Sequence, residues 1–316
     1  MEKLIFDTYE VDADVVNSVA RRGINDLINK CEENYSESIR KIADDIEKDD
    51  SERTLVFLAG PSSSGKTTTA HRIEAEVRSR GYSACVISMD DFYLKREETP
   101  IRSDGSYNLE SLYALNVPLI EKCMTELLNK GETDVPIFDF LTKETTGTKR
   151  ITLDKKGCVI MEGLNAINPA VCDIKGKGKV LKVYVSTQTS FMLGKRQIMS
   201  PKLNRLIRRM VRDVKFRNTS PQETLEMWHY VTEGEEIYID PYKDDADYQI
   251  NTTMVYEPLL YKEYLTELLD RSGGNSVAID GINKILDVLS PFNEADKEKV
   301  EIPANSIINE FLGTTV

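Results

Sequence analysis

The stretch GPSSSGKT, residues 60–67, decides the fold of this chain of 316 residues. Glycine stands at positions 60 and 65, lysine at 66 and threonine at 67, which is the spacing of a loop whose backbone N–H groups surround phosphate oxygens. The apolar run TLVFLA precedes the loop and the helix-like segment TTTAHRIEAEVRSR follows it. Because the loop joins a strand to a helix N-terminus, where N–H groups are free, it predicts a site for nucleotide phosphates.

The rest of the chain repeats the alternation of strand and helix. Short apolar runs that end in turn or acidic residues recur as SACVISMDD, CVIMEG, VLKVYVS and a weaker YQINT, and helix-length segments separate most of them. This pattern is typical of parallel strands that are covered on both faces. It predicts an α/β fold of the P-loop NTPase type, with a parallel sheet flanked by helices, a helical lid and helical extensions at both ends.

Helical spacing of apolar residues also marks the two ends of the chain. It predicts an N-terminal helical extension over residues 1–50 and a C-terminal one over 273–316, around a P-loop domain at 51–272 whose lid lies at about 200–220. We expect each extension to pack on the core or to form a subunit interface. The sequence does not choose between these arrangements, and it leaves the oligomeric state open.

Composition excludes several classes of protein. The net charge of -12 and the pI near 4.9 argue against nucleic-acid binding, because most of the surface would repel a phosphate backbone. The sequence shows neither a signal peptide nor an apolar run that could span a membrane, so we expect a cytoplasmic protein. Two histidines and five scattered cysteines give little material for a zinc site or a histidine-based triad.

Two of the strand-like runs end in acids. Asp90 and Asp91 follow VISM, and Glu162 ends the run CVIME. A carboxylate at the end of the strand after a phosphate loop can accept a proton from a substrate hydroxyl, and one on a neighbouring strand can bind Mg²⁺ beside the loop threonine. We predict Asp90 as the catalytic base and Thr67, Glu162 and Asp90 as the Mg²⁺ ligands. For Glu162, a solvated acid at the sheet edge is the alternative.

The segment PKLNRLIRRMVRDVKFR, residues 201–217, is strongly cationic in an acidic chain. Helical geometry puts Arg205, Arg208, Arg209 and Arg212 on one face and apolar side chains on the other. We interpret the basic face as a lid over a triphosphate, because clustered arginines repel one another unless an anion offsets their charge. A merely solvated basic face is the alternative.

These features separate the classes of protein that share a phosphate loop. No asparagine in the chain begins the NKxD motif with which a GTPase reads guanine. The acid at a strand end and the basic lid favour a small-molecule kinase that uses ATP and Mg²⁺. Whether ATP or GTP is the preferred donor stays open.

Taken together, GPSSSGKTT, SMDDFY, PIFDF, the strand ending in EGL, and RRMVRD resemble the uridine kinase and phosphoribulokinase family of P-loop kinases. The resemblance runs from about Thr54 to Asn251 and is closest to the kinase half of bacterial uridine kinase-like proteins. It implies ATP- and Mg²⁺-dependent phosphorylation of the 5′-hydroxyl of uridine or cytidine.

The resemblance also implies roles for single residues. Asp90 matches the family's general base, and Arg212 and Arg217 match lid arginines that contact the phosphates. Tyr93, Phe138 and Phe140 are expected to wall the nucleoside pocket, with Arg209 near the acceptor. The predicted site comprises catalytic Asp90, Lys66, Arg212 and Arg217; phosphate-binding Gly60, Pro61, Ser62, Ser63, Ser64, Gly65, Lys66, Thr67 and Thr68; and substrate-binding Tyr93, Asn108, Phe138, Phe140, Lys143 and Arg209.

Two positions depart from the family pattern, and both concern the acceptor. Asn108 stands where we expect the aspartate that grips the ribose hydroxyls, and Lys143 stands where uridine kinases have a histidine. Two alternatives therefore remain beside a nucleoside kinase. One is a kinase of a sugar phosphate, pantothenate or glycerate, and the other is a nucleotide-binding regulatory protein without kinase turnover.

Overall fold

The computed structural model of the chain describes residues 9–140 and 142–313. The strands are β1 (Glu10–Asp12), β2 (Arg53–Ala59), β3 (Ala84–Ser88), β4 (Glu132–Asp139), β5 (Glu144–Thr152), β6 (Gly157–Glu162), β7 (Lys179–Ser186), β8 (Ser190–Leu193), β9 (Arg196–Met199) and β10 (Tyr248–Asn251). The α-helices are α1 (Ala13–Arg22), α2 (Ile24–Lys48), α3 (Lys66–Ser79), α4 (Val117–Lys130), α5 (Pro169–Cys172), α6 (Pro201–Phe216), α7 (Pro221–Tyr238), α8 (Pro258–Arg271), α9 (Ser276–Leu289) and α10 (Asn309–Leu312).

The centre of the molecule is a five-stranded sheet with the order β10-β7-β2-β6-β3. All neighbouring strands in it run parallel. Every residue of β2 is buried, which is why its sequence is an almost unbroken apolar run: helices cover both faces of a parallel sheet. The runs predicted as strands all lie in this sheet, so the prediction of an α/β fold with a helix-flanked parallel sheet is confirmed.

The helices begin where the sequence offers caps. The Ser200 side chain accepts a hydrogen bond from the backbone N–H of Leu203, and Pro201 opens α6 with its fixed backbone angle. Ser220 and Glu223 form a reciprocal capping box at the start of α7. Within the described ranges, no helix is long and apolar enough to cross a membrane.

Two small sheets complete the fold and were not predicted. β4 and β5 form an antiparallel hairpin, and β1 pairs with β8, which in turn pairs with β9. Nearly all of β5 is exposed, so its sequence, ETTGTKRIT, lacks the apolar alternation that marks a half-buried strand. Strands this exposed are held by their backbone pairing and leave a weak sequence signal.

Segments from both ends of the chain contribute to the main hydrophobic core. In α2, the Tyr35 hydroxyl lies 2.6 Å from the Thr69 hydroxyl of α3, and Glu32 forms an ion pair with Arg72 at 3.2 Å. Buried side chains after α9, including Ile307, belong to the same cluster. The division of the chain at residues 50 and 272 stays a prediction.

Candidate active site

The carboxyl ends of three adjacent strands bring the predicted site together. The phosphate loop follows β2, Glu162 ends β6, and Asp90 lies just after β3. Because β6 lies between β2 and β3 and all three run parallel, these groups meet at one edge of the sheet. Ser88 pairs with Glu162 in register, and its hydroxyl donates a hydrogen bond of 3.0 Å to Oε1 of that carboxylate.

The phosphate loop has the curved backbone that an anion cradle needs. Ser63 and Gly65 have positive φ angles of 58° and 86°, and the Ser64 N–H donates to the Pro61 carbonyl at 3.2 Å. α3 begins at Lys66, directly after the loop. The hydroxyls of Ser63 and Ser64 are buried without a hydrogen-bond partner. The loop therefore carries free polar groups around a helix N-terminus, as a phosphate site requires.

Lys66 lies among carboxylates. Its Nζ donates a hydrogen bond of 3.2 Å to the Pro61 carbonyl. Burial lowers the pKa of Lys66, and the negative charges of Glu162, Glu310, Asp90 and, more weakly, Glu110 oppose that shift. The ammonium group is thus held at the point where the strand-end acids converge.

Asp90 lies in a short 3₁₀ helix, Met89–Phe92, that continues from β3. The side chains of Met89 and Phe92 are buried and anchor this turn, whereas Asp90 is exposed. The surrounding protein displaces part of the water around the carboxylate, which raises the pKa of Asp90, while the positive charges of Lys66 and Arg217 counteract this. The result is an accessible carboxylate beside cations, which suits a proton acceptor.

An aromatic wall stands next to Asp90. The rings of Tyr93 and Phe138 are 5.8 Å apart, and those of Phe138 and Phe140 are 5.3 Å apart, edge to face. These three side chains line one cavity together with Lys143 and Tyr107. Tyr93 of SMDDFY, Phe138 and Phe140 of PIFDF, and Lys143 were all predicted to bind the substrate. They share a single concave surface.

The arginines of α6, together with Arg217 directly after it, divide into two groups. Arg209 donates a hydrogen bond of 2.7 Å from Nη1 to the Ser62 hydroxyl of the phosphate loop. Arg212 and Arg217 both lie near Asp213, with closest nitrogen to oxygen distances of 2.7 Å and 3.7 Å. Charges of Arg209, Arg212 and Arg217 thus gather beside the phosphate loop and Asp90, since Arg217 also influences the pKa of Asp90.

Arg205 and Arg208 belong to the other group, and here the interpretation of one phosphate-facing stripe was wrong. Arg205 forms a bidentate, buried ion pair with Glu235 at 2.6 Å and 2.7 Å. Arg208 is fully buried and pairs with Glu257 at 2.5 Å and 2.8 Å. Their charge is neutralised within the protein, so neither guanidinium needs a ligand to offset it.

Glu110, rather than Asn108, lies near the charges of Arg209 and Lys66. Asn108 lines a separate cavity with Arg102 and Tyr230, away from the aromatic wall. Glu110, which we did not single out, is the acid that faces the site. Burial raises its pKa, and the charges of Arg209 and Lys66 are the main influences that lower it.

Close packing against α7 holds Glu110 in place. A Cβ added to Gly234 would lie 2.7 Å from the Glu110 Cβ, so glycine is required for this approach. The sequence signal was an acid two residues beyond Asn108. An irregular loop has no periodicity that would distinguish this acid from its neighbours.

The predicted Mg²⁺ ligands offer oxygen donors only. Thr67 is exposed at the start of α3, and Glu162 and Asp90 lie at the adjacent strand ends. Hydroxyl and carboxylate oxygens are the donors that Mg²⁺ prefers, usually together with substrate phosphates and water. Across residues 9–140 and 142–313 there is no group of three or more His, Cys, Asp or Glu side chains that could hold a metal by themselves. The donor set fits an ion that is shared with a nucleotide.

Uridine kinases are among the known proteins to which this chain is similar. The chain is 25% identical over 232 residues to a uridine kinase of Macrococcus caseolyticus, a match that covers 73% of this chain and 94% of the relative. A uridine kinase of Ureaplasma parvum is 26% identical, over 62% of this chain and 86% of its own. A solved structure, described as a possible uridine kinase from Bacillus stearothermophilus, has a TM-score of 0.46 at 17% identity and covers 68% of this chain and 97% of its own.

The match to one protein family covers nearly all of the central sheet and every predicted site residue. The Phosphoribulokinase / Uridine kinase family matches residues 55–256, which is more than half of the chain. The match includes the phosphate loop, Asp90, the aromatic wall, Glu162 and α6. The chain therefore belongs to the phosphoribulokinase and uridine kinase family of P-loop kinases and is a phosphotransferase that acts on an alcohol acceptor.

Proposed function

We propose that the protein transfers the γ-phosphoryl group of ATP to the 5′-hydroxyl of a pyrimidine nucleoside, uridine or cytidine. The observation that carries this proposal is the aromatic wall of Tyr93, Phe138 and Phe140, which lines one cavity and whose Tyr93 hydroxyl interacts with Asp90. Aromatic faces stack on nucleobases, and a base seated there brings its sugar towards the carboxylate. The uridine kinases to which the chain is similar at about 25% identity support the same acceptor.

The chemistry assigned to the chain's own residues is a direct transfer. The oxygen of the acceptor hydroxyl forms a bond to the γ-phosphorus while the bond from that phosphorus to the β–γ bridging oxygen breaks. Asp90 accepts the hydroxyl proton, and ADP leaves with the bridging oxygen. Lys66, Arg212 and Arg217 stabilise the negative charge on the phosphoryl oxygens, and Arg209 orients the acceptor side.

Phosphate contacts are proposed for the loop from Gly60 to Thr68, through its backbone N–H groups and its serine and threonine hydroxyls. Thr67, Glu162 and Asp90 would hold Mg²⁺, directly or through water. When bound, the ion supplies positive charge that offsets the charge of the phosphates. Glu110 is proposed to accept hydrogen bonds from the ribose hydroxyls, the role that the sequence suggested for Asn108.

A second acceptor class has one observation in its favour. Arg96 and Lys143 both line the cavity with the aromatic wall. The Arg96 guanidinium stacks on the Tyr107 ring, 4.9 Å from its centre, which fixes a cation at the edge of the cavity. Such a pair could receive the phosphate or carboxylate of a sugar phosphate or glycerate.

A panel of acceptors tests the proposal. ADP release from MgATP is measured with uridine, cytidine, thymidine, adenosine, glycerate, pantothenate, ribose 5-phosphate and no acceptor, with GTP as a second donor. We expect stimulation by uridine or cytidine. If only glycerate, pantothenate or ribose 5-phosphate stimulates ADP release, the acceptor belongs to the second class and is not a nucleoside. If no alcohol stimulates ADP release, a regulatory nucleotide-binding protein is favoured.

Replacing Glu110 with glutamine is expected to raise the KM for uridine about 10- to 100-fold with a smaller change in kcat. The reason is that hydrogen bonds to a charged group contribute about 1.5–3 kcal/mol, much of which a neutral amide loses. The preference for uridine over 2′-deoxyuridine should shrink in the same variant. Initial rates with both nucleosides measure this.

Two matched variants control the Glu110 experiment. Glu98→Gln removes an exposed acid from the same region and should leave the KM unchanged. Asn108→Ala tests the assignment that the sequence suggested. A larger rise in KM for Asn108→Ala than for Glu110→Gln would return the ribose contact to Asn108.

A further inference from the structure

The segment after Pro303 lies on the phosphate loop. A Cβ added to Gly65 would lie 2.1 Å from Ile307 Cδ1, so the Ile307 side chain rests directly on the backbone of this glycine. Gly65 has a φ of 86°, and only glycine combines that angle with such close cover. Ile307 is fully buried, so the contact is part of the core.

A carboxylate from the same segment occupies the start of α3. Glu310 Oε2 accepts a hydrogen bond of 3.2 Å from the Thr68 N–H and one of 2.6 Å from the Thr68 hydroxyl. The next N–H along the helix, that of Thr69, already bonds to the Gly65 carbonyl at 3.0 Å. Thr68 therefore carries the last helix N–H that an incoming anion could use.

This position is one where a nucleotide phosphate is expected to bind. In a loop of this type the N–H groups of the loop and of the first helical turn surround the α- and β-phosphates. The buried hydroxyls of Ser63 and Ser64 have no partner, so these two groups of the loop are free while Thr68 is occupied. A carboxylate and a phosphate cannot both accept the Thr68 hydrogen bonds, and their charges repel.

The segment is also tied to the arginine-rich helix. The Phe311 ring packs 4.7 Å below the Arg208 guanidinium, and Lys215 Nζ donates a hydrogen bond of 2.5 Å to the Leu312 carbonyl. At its other end, the Ser306 hydroxyl donates to Glu32 of α2. Movement of Glu310 is therefore coupled to α6 and α2.

From these contacts we infer that Glu310 is an internal competitor for the nucleotide phosphate, and that residues 304–313 must leave the phosphate loop when the nucleotide binds. The inference rests on the proposed nucleotide donor and not on the identity of the acceptor. It makes the affinity for nucleotide depend on a residue outside the phosphate loop and the lid.

Nucleotide binding to Glu310→Gln measures this competition. Calorimetry compares MgADP, MgATP and magnesium pyrophosphate on the parent and on the variant, without any acceptor. Because charge-assisted hydrogen bonds are about twice as strong as neutral ones, we expect the three Kd values to fall by about three- to tenfold. Glu301→Gln removes an exposed acid just before this segment and should change none of them.

Hydrogen exchange separates release of the segment from simple charge repulsion. On addition of MgADP to the parent protein, amide exchange in residues 304–313 is expected to rise. Protection of these amides, unchanged exchange, or unchanged or weaker binding in Glu310→Gln would overturn the inference. Failure of the parent to bind any of the three phosphates would instead remove the proposed donor and the competition together.

Discussion

Replacing Asp90 with asparagine is expected to lower kcat by about 10²–10⁴-fold while nucleotide binding is kept. Asparagine has nearly the same shape but cannot accept the proton of the acceptor hydroxyl. Asp90 lies on an anchored turn between Lys66 and the aromatic wall, so the substitution should disturb little else. Steady-state kinetics with uridine and MgATP measure kcat, and calorimetry with MgADP measures binding.

The neighbouring Asp91 gives a matched control. Its carboxylate interacts with the backbone of Phe138, so Asp91→Asn is expected to raise the acceptor KM more than it lowers kcat. Retention of full turnover by Asp90→Asn would show that another group accepts the proton.

The dependence of kcat/KM on pH tests the role of Asp90 independently. The base must be ionised to act, and the pKa of Asp90 is raised by its surroundings. Activity, measured as kcat/KM, should therefore begin to fall on the acid side at a higher pH than an ordinary aspartate would cause. The residual activity of Asp90→Asn should lack this acid limb.

Glu257→Gln is expected to lower the free energy of unfolding by about 3–5 kcal/mol. Both members of the Arg208–Glu257 pair are fully buried, and the variant leaves a guanidinium without its counter-charge. Arg208 also donates hydrogen bonds to the carbonyls of Thr252, at 2.6 Å, and Ser63, at 3.4 Å. Because Ser63 belongs to the phosphate loop, the buried arginine helps to hold that loop in place. Urea unfolding measures the stability, and weaker MgADP binding should accompany its loss.

Two comparisons sharpen the Glu257 experiment. Asp280→Asn breaks an exposed ion pair with Lys284 and should change the stability little. Replacing both buried partners, as Arg208→Met with Glu257→Leu, should recover much of the lost stability because no charge is left unpaired. A loss in Glu257→Gln no larger than that in Asp280→Asn would mean that water reaches Arg208.

Much of the fold could be predicted because its signals are local. A buried parallel strand needs a run of apolar residues, and a phosphate loop needs glycines at fixed spacing, so β2 and residues 60–67 identified the architecture. The meeting of Asp90 and Glu162 at one sheet edge followed from strand ends alone. These inferences need no knowledge of which residues pair across the chain.

The features that escaped prediction depend on partners distant in sequence. The partners of Arg205 and Arg208 are Glu235 and Glu257, and nothing in the basic segment reveals them. Glu110 differs from Asn108 in its proximity to the charges of Arg209 and Lys66, which lie about 100 and 44 residues away in the sequence. Local spacing placed four arginines on one helix face, but tertiary contacts decide which of their charges remain available to a ligand.

Ile307 and Glu310, which lie on the phosphate loop, are synthesised long after the loop itself. Asn251 ends the last strand of the central sheet, and roughly 60 residues separate it from Glu310. At about 5–20 residues per second, a ribosome needs about 3–12 s to synthesise that interval. The ribosome thus completes every strand of the central sheet before it adds the acid that occupies Thr68, so Glu310 cannot cover the phosphate loop during that interval.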